Sequence, residues 1–147
     1  MLDTGVPAGW HYYWKSTGLR ELADPVIDTL VERAAWAQST RSHALLFHLG
    51  GAIADQDPAA TAFTRRDVPH ELDVNAVWPP HQPIGPAERA WARDFVTALV
   101  PYRSGVHVNF LDHDDHDRRA EAFDAETAAR LARVRHRYDP EGVLRPD

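Results

Sequence analysis

Three places in the chain set proton-moving or ion-binding side chains close together. Asp73 and Asn75 project to one side of the alternating segment from Glu71 to Trp78. A carboxylate beside a substrate hydroxyl or amine accepts its proton while hydride leaves the carbon, and burial raises its pKa toward working pH. His107 and Asn109 repeat the spacing in a later alternating segment. An amide that both donates and accepts suits the mixed polar edge of a heteroaromatic ring. Taken alone, each pair also fits a solvated face. His113, Asp114, Asp115, His116 and Asp117 offer metal-ligand atoms at short spacing. Their order is neither a helical HExxH nor an EF-hand loop, and a loop between a strand and a helix carries such residues because it is solvated. No metal site is assigned.

Composition narrows the alternatives. A chain of 147 residues with 44% hydrophobic and 26% charged residues buries one ordinary core. The net charge of −6, with arginines dispersed among acids, argues against nucleic acid or an anionic membrane as partner. There are no cysteines, which excludes disulfides, thiolate zinc sites and a catalytic thiol. The longest apolar run, Ala44 to Ala54, is interrupted by His48 and two glycines and is too short to span a bilayer. The first residues carry neither the basic nor the apolar region of an export signal, so a cytoplasmic protein is expected. No GxGxxG, GxxxxGK[ST] or GxSxG occurs, and the chain shows no nucleotide cradle of its own. Five Trp, four Tyr and five Phe pack a core or line a cavity.

The elements that must hold these residues follow from periodicity. Trp10 to Lys15 alternates aromatics on both faces and predicts a strand. Asp24 as cap and Pro25 at the first position open a helix to about Gln38, with Val26, Ile27, Leu30, Val31, Ala34 and Ala35 as its apolar stripe. Ala44 to Leu49 predicts a buried strand ended by Gly50-Gly51, and Thr61 to Arg66 another short strand. Leu72, Val74, Ala76 and Trp78 give the cleanest period-2 pattern, ended by Pro79-Pro80. A helix from Pro86 buries Ala87, Trp91, Phe95, Ala98 and Leu99, and Pro101 stops it. Val106, Val108 and Phe110 predict a last strand. Ala125 to His136 predicts a last helix, capped by Asp124, with Ala128, Leu131 and Val134 inward. The order β-α-β-β-β-α-β-α gives an α+β fold of two layers, a mainly antiparallel sheet with helices on one face. The other face then carries Asp73, Asn75, His107 and Asn109, and must look at water, a ligand or another domain.

Five segments in order resemble the berberine-bridge-enzyme-like FAD-linked oxidases. They are Tyr12-Tyr13-Trp14-Lys15-Ser16; His48-Leu49-Gly50-Gly51-Ala52 with Thr61-Ala62-Phe63 and Arg65-Arg66; Asp73 to Trp78; Val108-Asn109-Phe110; and Arg137-Tyr138-Asp139-Pro140. The resemblance implies a partial substrate-binding domain over 1–111 and the family's C-terminal segment over 112–147, forming one compact unit. It implies FAD as cofactor, held mainly by a separate domain or chain, and a small alcohol, sugar or amine oxidised by hydride transfer to flavin N5 with O2 as acceptor. Alone, this part would not be catalytic. Asp73 falls where members carry an acidic catalytic residue, and Asn109 with His107 falls beside the flavin. Tyr12, His48, Asn75 and Phe110 are substrate-side candidates. Two departures stand out: Phe110 replaces the family's Tyr or His and is no base, and Arg65 replaces its usual His. The end at Arg145-Pro146-Asp147 also differs from the family's. If the sheet face is a covered surface laid open, it should be partly apolar. Without the resemblance, the same residues describe a standalone, non-enzymatic domain that binds a ligand or partner through its polar sheet face.

Overall fold

The computed structural model describes residues 7–63 and 65–144. Three strands, β1 (His11–Leu19), β2 (His43–His48) and β3 (His70–Trp78), form one antiparallel sheet in the order β1-β3-β2. Three helices, α1 (Asp24–Ala34), α2 (Gly85–Ala98) and α3 (Ala125–Tyr138), complete the α+β fold. The period-2 pattern of β3 sets its place: paired on both edges, it is the middle strand. Leu72, Val74, Ala76 and Trp78 face the helices and join Tyr13, Leu19, Trp91, Phe95 and Leu99 in the core. Register puts Glu71, Asp73 and Asn75 on the opposite face, across from Gly18, Ser16 and Trp14 of β1 and from Phe47, Leu45 and His43 of β2.

Helix α2 begins with Pro86 in its first turn; of its predicted stripe Trp91, Phe95 and Leu99 are buried, Ala87 and Ala98 are half-buried, and Ala92 is buried in addition. Its fully buried Glu88 accepts from the backbone N–H of Gln38 (2.7 Å) and Ser39 (3.0 Å) and from the Ser42 hydroxyl, tying the segment between α1 and β2 to α2. Asp124 caps α3 by accepting from the Thr127 N–H at 2.8 Å. The acid–histidine loop 112–117 is largely exposed, as expected, but is fastened to the sheet through its buried Asp115. Lys15, on the helix side of β1, donates to Asp114 and Asp115.

Several expectations are corrected. α1 ends at Ala34, well before Gln38, and Asp24 is its first residue rather than a side-chain cap. Only Val26 of its stripe is buried, while Ile27 and Val31 lie exposed. Likewise Val134 of α3 is exposed, not inward. β2 is no buried strand: it is a sheet edge with Leu45, Leu46 and Phe47 each more than two-fifths exposed. Residues 61–63 and 65–66 are irregular, not a strand. Finally, no strand runs through 106–110. Pairing against β1 starts, with Leu19 bridged to Arg103 and Gly18 bonded to Ser104 and Gly105, and then Gly105 turns the chain away at φ +79°. The His107 imidazole accepts the Asn109 N–H at 3.2 Å, and residues Val108–Phe110 wind into a single 3-10 turn.

Gly105 carries a second constraint. A Cβ there would meet Arg65, whose guanidinium donates to Glu121 O (2.9 Å) and Ser104 O (3.1 Å). Gly105→Ala therefore combines a left-handed backbone, worth about 1–2 kcal/mol, with displacement of a latch worth about as much again. Thermal unfolding of this variant is expected to show a loss of roughly 2–4 kcal/mol. An unchanged midpoint would contradict that reading.

Candidate active site

The open face of the sheet brings together two buried carboxyls two residues apart. Asp73 is 6% exposed and Glu71 5%. Asn75 donates its Nδ2–H to Asp73 Oδ2 at 2.9 Å, while Asp73 Oδ1 is buried and has no hydrogen-bond partner among the described residues. Ser16, its cross-strand neighbour, is fully buried, and its hydroxyl acts on the Glu71 carboxyl. Burial pushes the Asp73 carboxyl above its ordinary range, against the Asn75 amide and the charge of nearby His43. Burial likewise raises Glu71, whose Oε1 accepts the His107 backbone N–H at 3.2 Å.

Two adjoining cavities open over the Glu71 end of this face. One of about 290 Å³ is lined by Phe63, Arg65, Val106, His107 and Asn109 among others. One of about 400 Å³ is lined by Phe47, Ile53, Phe63, Arg66 and Phe110. Leu49, Phe63, Glu71 and His107 line both. The 3-10 turn resolves a conflict that simple alternation leaves, because Asn109 and Phe110 both face this space although they are sequence neighbours. Burial holds the His107 imidazole below its usual pKa, so the ring is neutral at pH 7.

The remaining candidates divide. Tyr12 shares the face with Asp73, opposite Val77, and its hydroxyl donates to Pro7 O at 2.5 Å. His48 does not join the site: it sits across from His70, on the face that bears Leu72, with the two rings 5.3 Å apart. Its parity in the strand matches Leu46 and Ala44, which sets it opposite to Asp73. Glu71 is the group that sequence reading passed over. On an alternating strand it looks like an outward charge, and only the return of His107, 36 residues later, buries it.

Asp112, His113 and Asp114 bring three ligand atoms within 4.8 Å of one another. Their carboxylates are already engaged, Asp112 with His113 and Asp114 with Lys15 and the Tyr13 hydroxyl. This cluster is a structural clamp.

Raised carboxyls have a cost that can be measured. Because Glu71 binds its proton more tightly folded than unfolded, the folded state holds more protons above the unfolded value near 4.5. Stability then falls as pH rises from there through the folded pKa. Asp112 and Asp114 act oppositely, since their lowered pKa values give stability above 3.8 that is lost on acidification. Glu71→Gln keeps an acceptor for His107 and should raise the thermal midpoint at pH 7 but not below pH 4.5. A variant no more stable than the parent at neutral pH would contradict it.

No family model and no curated protein matches the sequence. Solved structures do match the fold. The berberine bridge enzyme of Eschscholzia californica superposes with a TM-score of 0.82 at 17% identity, over 93% of this chain and 32% of that one. The fold is berberine-bridge-like. A glycopeptide hexose oxidase complexed with teicoplanin gives 0.76 at 21% identity, over 94% of this chain and 32% of that one. A berberine-bridge-like protein of Arabidopsis thaliana also gives 0.76 at 21%, over 91% and 32%. The chain thus spans about a third of the length of the berberine-bridge-like structures it matches. Among the described residues, no helix is long and apolar enough to cross a membrane.

Proposed function

We propose that this chain is the substrate-side part of an FAD-dependent oxidoreductase, with Asp73 as the base. Residues 1–111 contribute the partial substrate domain and 112–147 the C-terminal segment, and catalysis requires an FAD-binding unit outside them. The observation that carries the reading is the buried pair of Asp73 and Asn75, in which Asp73 Oδ1 has no hydrogen-bond partner among the described residues, on the sheet face opposite the one that packs against α2. Around them Trp14, Leu45 and Phe47 stay about two-fifths exposed, a partly apolar surface suited to being covered by a flat heteroaromatic group and its domain. When bound, a flavin supplies the hydride acceptor.

This chain's own residues then handle the proton. Asn75 fixes one Asp73 oxygen and leaves the other to accept from a substrate hydroxyl or amine as hydride departs the adjoining carbon. Asn109 presents donor and acceptor at the cavity mouth, and Phe110 contributes shape without proton transfer. The partners of this reading are a small-molecule substrate and a flavin-binding unit, with neither nucleic acid nor membrane. Anaerobic mixing of the flavin-loaded protein with alcohols, sugars and amines tests it. One class should bleach the flavin, and oxygen should restore the colour with release of peroxide. If no class bleaches it, the proposal fails.

A further inference from the structure

The turn that carries Asn109 and Phe110 hangs between two anchors. At its start Gly18 donates to Gly105 O at 3.0 Å, and at its end Asp112 donates to the buried Asp115 carboxylate at 3.0 Å. Between them Phe110 donates to His107 O, Leu111 to Val108 O and Asn109 to the His107 imidazole, all inside the turn. Among the described residues, one hydrogen bond ties residues 106–111 to the sheet: the His107 N–H donates to Glu71 Oε1 at 3.2 Å. The sequence leaves a lane for that contact. Gly18 lies across from Glu71 in β1, and a Cβ there would come within 2.6 Å of Ser104 O and 3.4 Å of Glu71 Oε2. With no side chain at this place, the carboxyl passes over Gly18 and meets the returning chain.

The Ser16 hydroxyl and the charge of Arg118 act on the same carboxyl. At 5% exposure, little water competes with His107 for it, and a hydrogen bond in such surroundings is stronger than one in solvent. Asp73 lies on the same face about 7 Å along β3, so one strand carries both the base and the group that holds the neighbouring turn. We infer that Glu71 is a positioning residue of this site: through the His107 N–H it sets where Asn109 and Phe110 stand relative to Asp73. The inference deepens the proposed oxidoreductase reading and rests on it only for calling the site catalytic.

Amide hydrogen exchange followed by NMR tests the contact without flavin or turnover, on the parent, Glu71→Gln and Glu71→Leu. In the parent the His107 amide should exchange about tenfold or more slowly than a solvated amide. Glu71→Gln keeps the acceptor, so that protection and the Asn109 and Phe110 signals should stay as in the parent. Glu71→Leu fills the space without an acceptor. It should lose the protection and shift the Asn109 and Phe110 signals, while the amides of β3 and α2 remain protected. An unprotected His107 amide in the parent overturns the inference with no variant needed, whether or not Glu71→Leu folds. A folded Glu71→Leu with a parent-like turn, or a Glu71→Gln that loses it, overturns it equally. In the flavin-loaded protein, Glu71→Leu should lower kcat/KM roughly 10–100-fold with the acid limb of Asp73 intact, and Glu71→Gln should restore it. Unchanged kcat/KM in a Glu71→Leu whose turn has moved would remove the positioning role. A parent that oxidises nothing sinks the oxidoreductase reading and leaves the exchange result standing, so the two fail separately.

Discussion

Asp73→Asn is expected to lower kcat of the flavin-loaded enzyme by roughly 10²–10⁴-fold, the usual contribution of a positioned base. Flavin content and thermal stability should hardly change, because Asn keeps the volume and an acceptor for the Asn75 amide. That loss corresponds to about 3–5 kcal/mol of transition-state stabilisation. The pH profile gives an independent signature. A base must be ionised, so kcat/KM falls as pH drops through the folded pKa of Asp73, which burial places above 3.8. This acid limb should vanish in the variant. Full activity in Asp73→Asn would remove Asp73 from the mechanism, whatever the fate of the flavin.

Lys15→Met is expected to cost about 3–5 kcal/mol of folding stability. Lys15 and Asp115 are 3% and 4% exposed, and their ion pair is 2.5 Å long. Removing the ammonium leaves a buried carboxylate short of its main partner, with Arg118 at 3.6 Å as partial compensation. Domains of this size are stable by only about 5–15 kcal/mol, so the variant should lie near unfolding. The surface pair Arg20–Asp67 is the contrast, since both side chains are more than half exposed and the pair contributes about 0–1 kcal/mol. Asp115→Leu added to Lys15→Met should recover part of the loss, because the stranded buried carboxylate is then gone and Arg118 keeps Glu121. The pH dependence follows from the signs. Lys15 is held above 10.5 because Asp114 and Asp115 outweigh its burial, so its contribution persists at neutral pH and is lost on the alkaline side. Equilibrium denaturation of the single and double variants measures both effects; equal stability of Lys15→Met and the parent would contradict the clamp.

What the sequence made legible was local. The alternation from Leu72 to Trp78 correctly places β3 and turns Asp73 and Asn75 to the open face. The stripe of α2 and the Asp124 cap of α3 are correct for the same reason, because 3.6- and 2-residue periods need no distant partner. The misreadings are non-local. Val106, Val108 and Phe110 alternate as a strand does, but Gly105 and the His107–Asn109 contact bend them into a turn. Neither Glu71 nor Glu88 stands out in the sequence, yet one is buried by a segment 36 residues away and the other accepts backbone N–H groups 49 and 50 residues away. The loop at 112–117 is mostly exposed, as expected, but its anchoring was not legible because the partner of Asp114 and Asp115, Lys15, lies about a hundred residues earlier.

The account turns on whether an FAD-binding unit covers the open sheet face. The direct measurement is the FAD content of the protein isolated from its native source as the polypeptide or complex in which it occurs, for the parent and for Leu45→Arg. Leu45 lies across from Asp73 on that face and is 43% exposed, so a charge there should block a covering domain while leaving the core intact. The account predicts equimolar FAD in the parent and its loss from a still-folded Leu45→Arg. A colourless parent, or a variant that keeps its flavin, would contradict it.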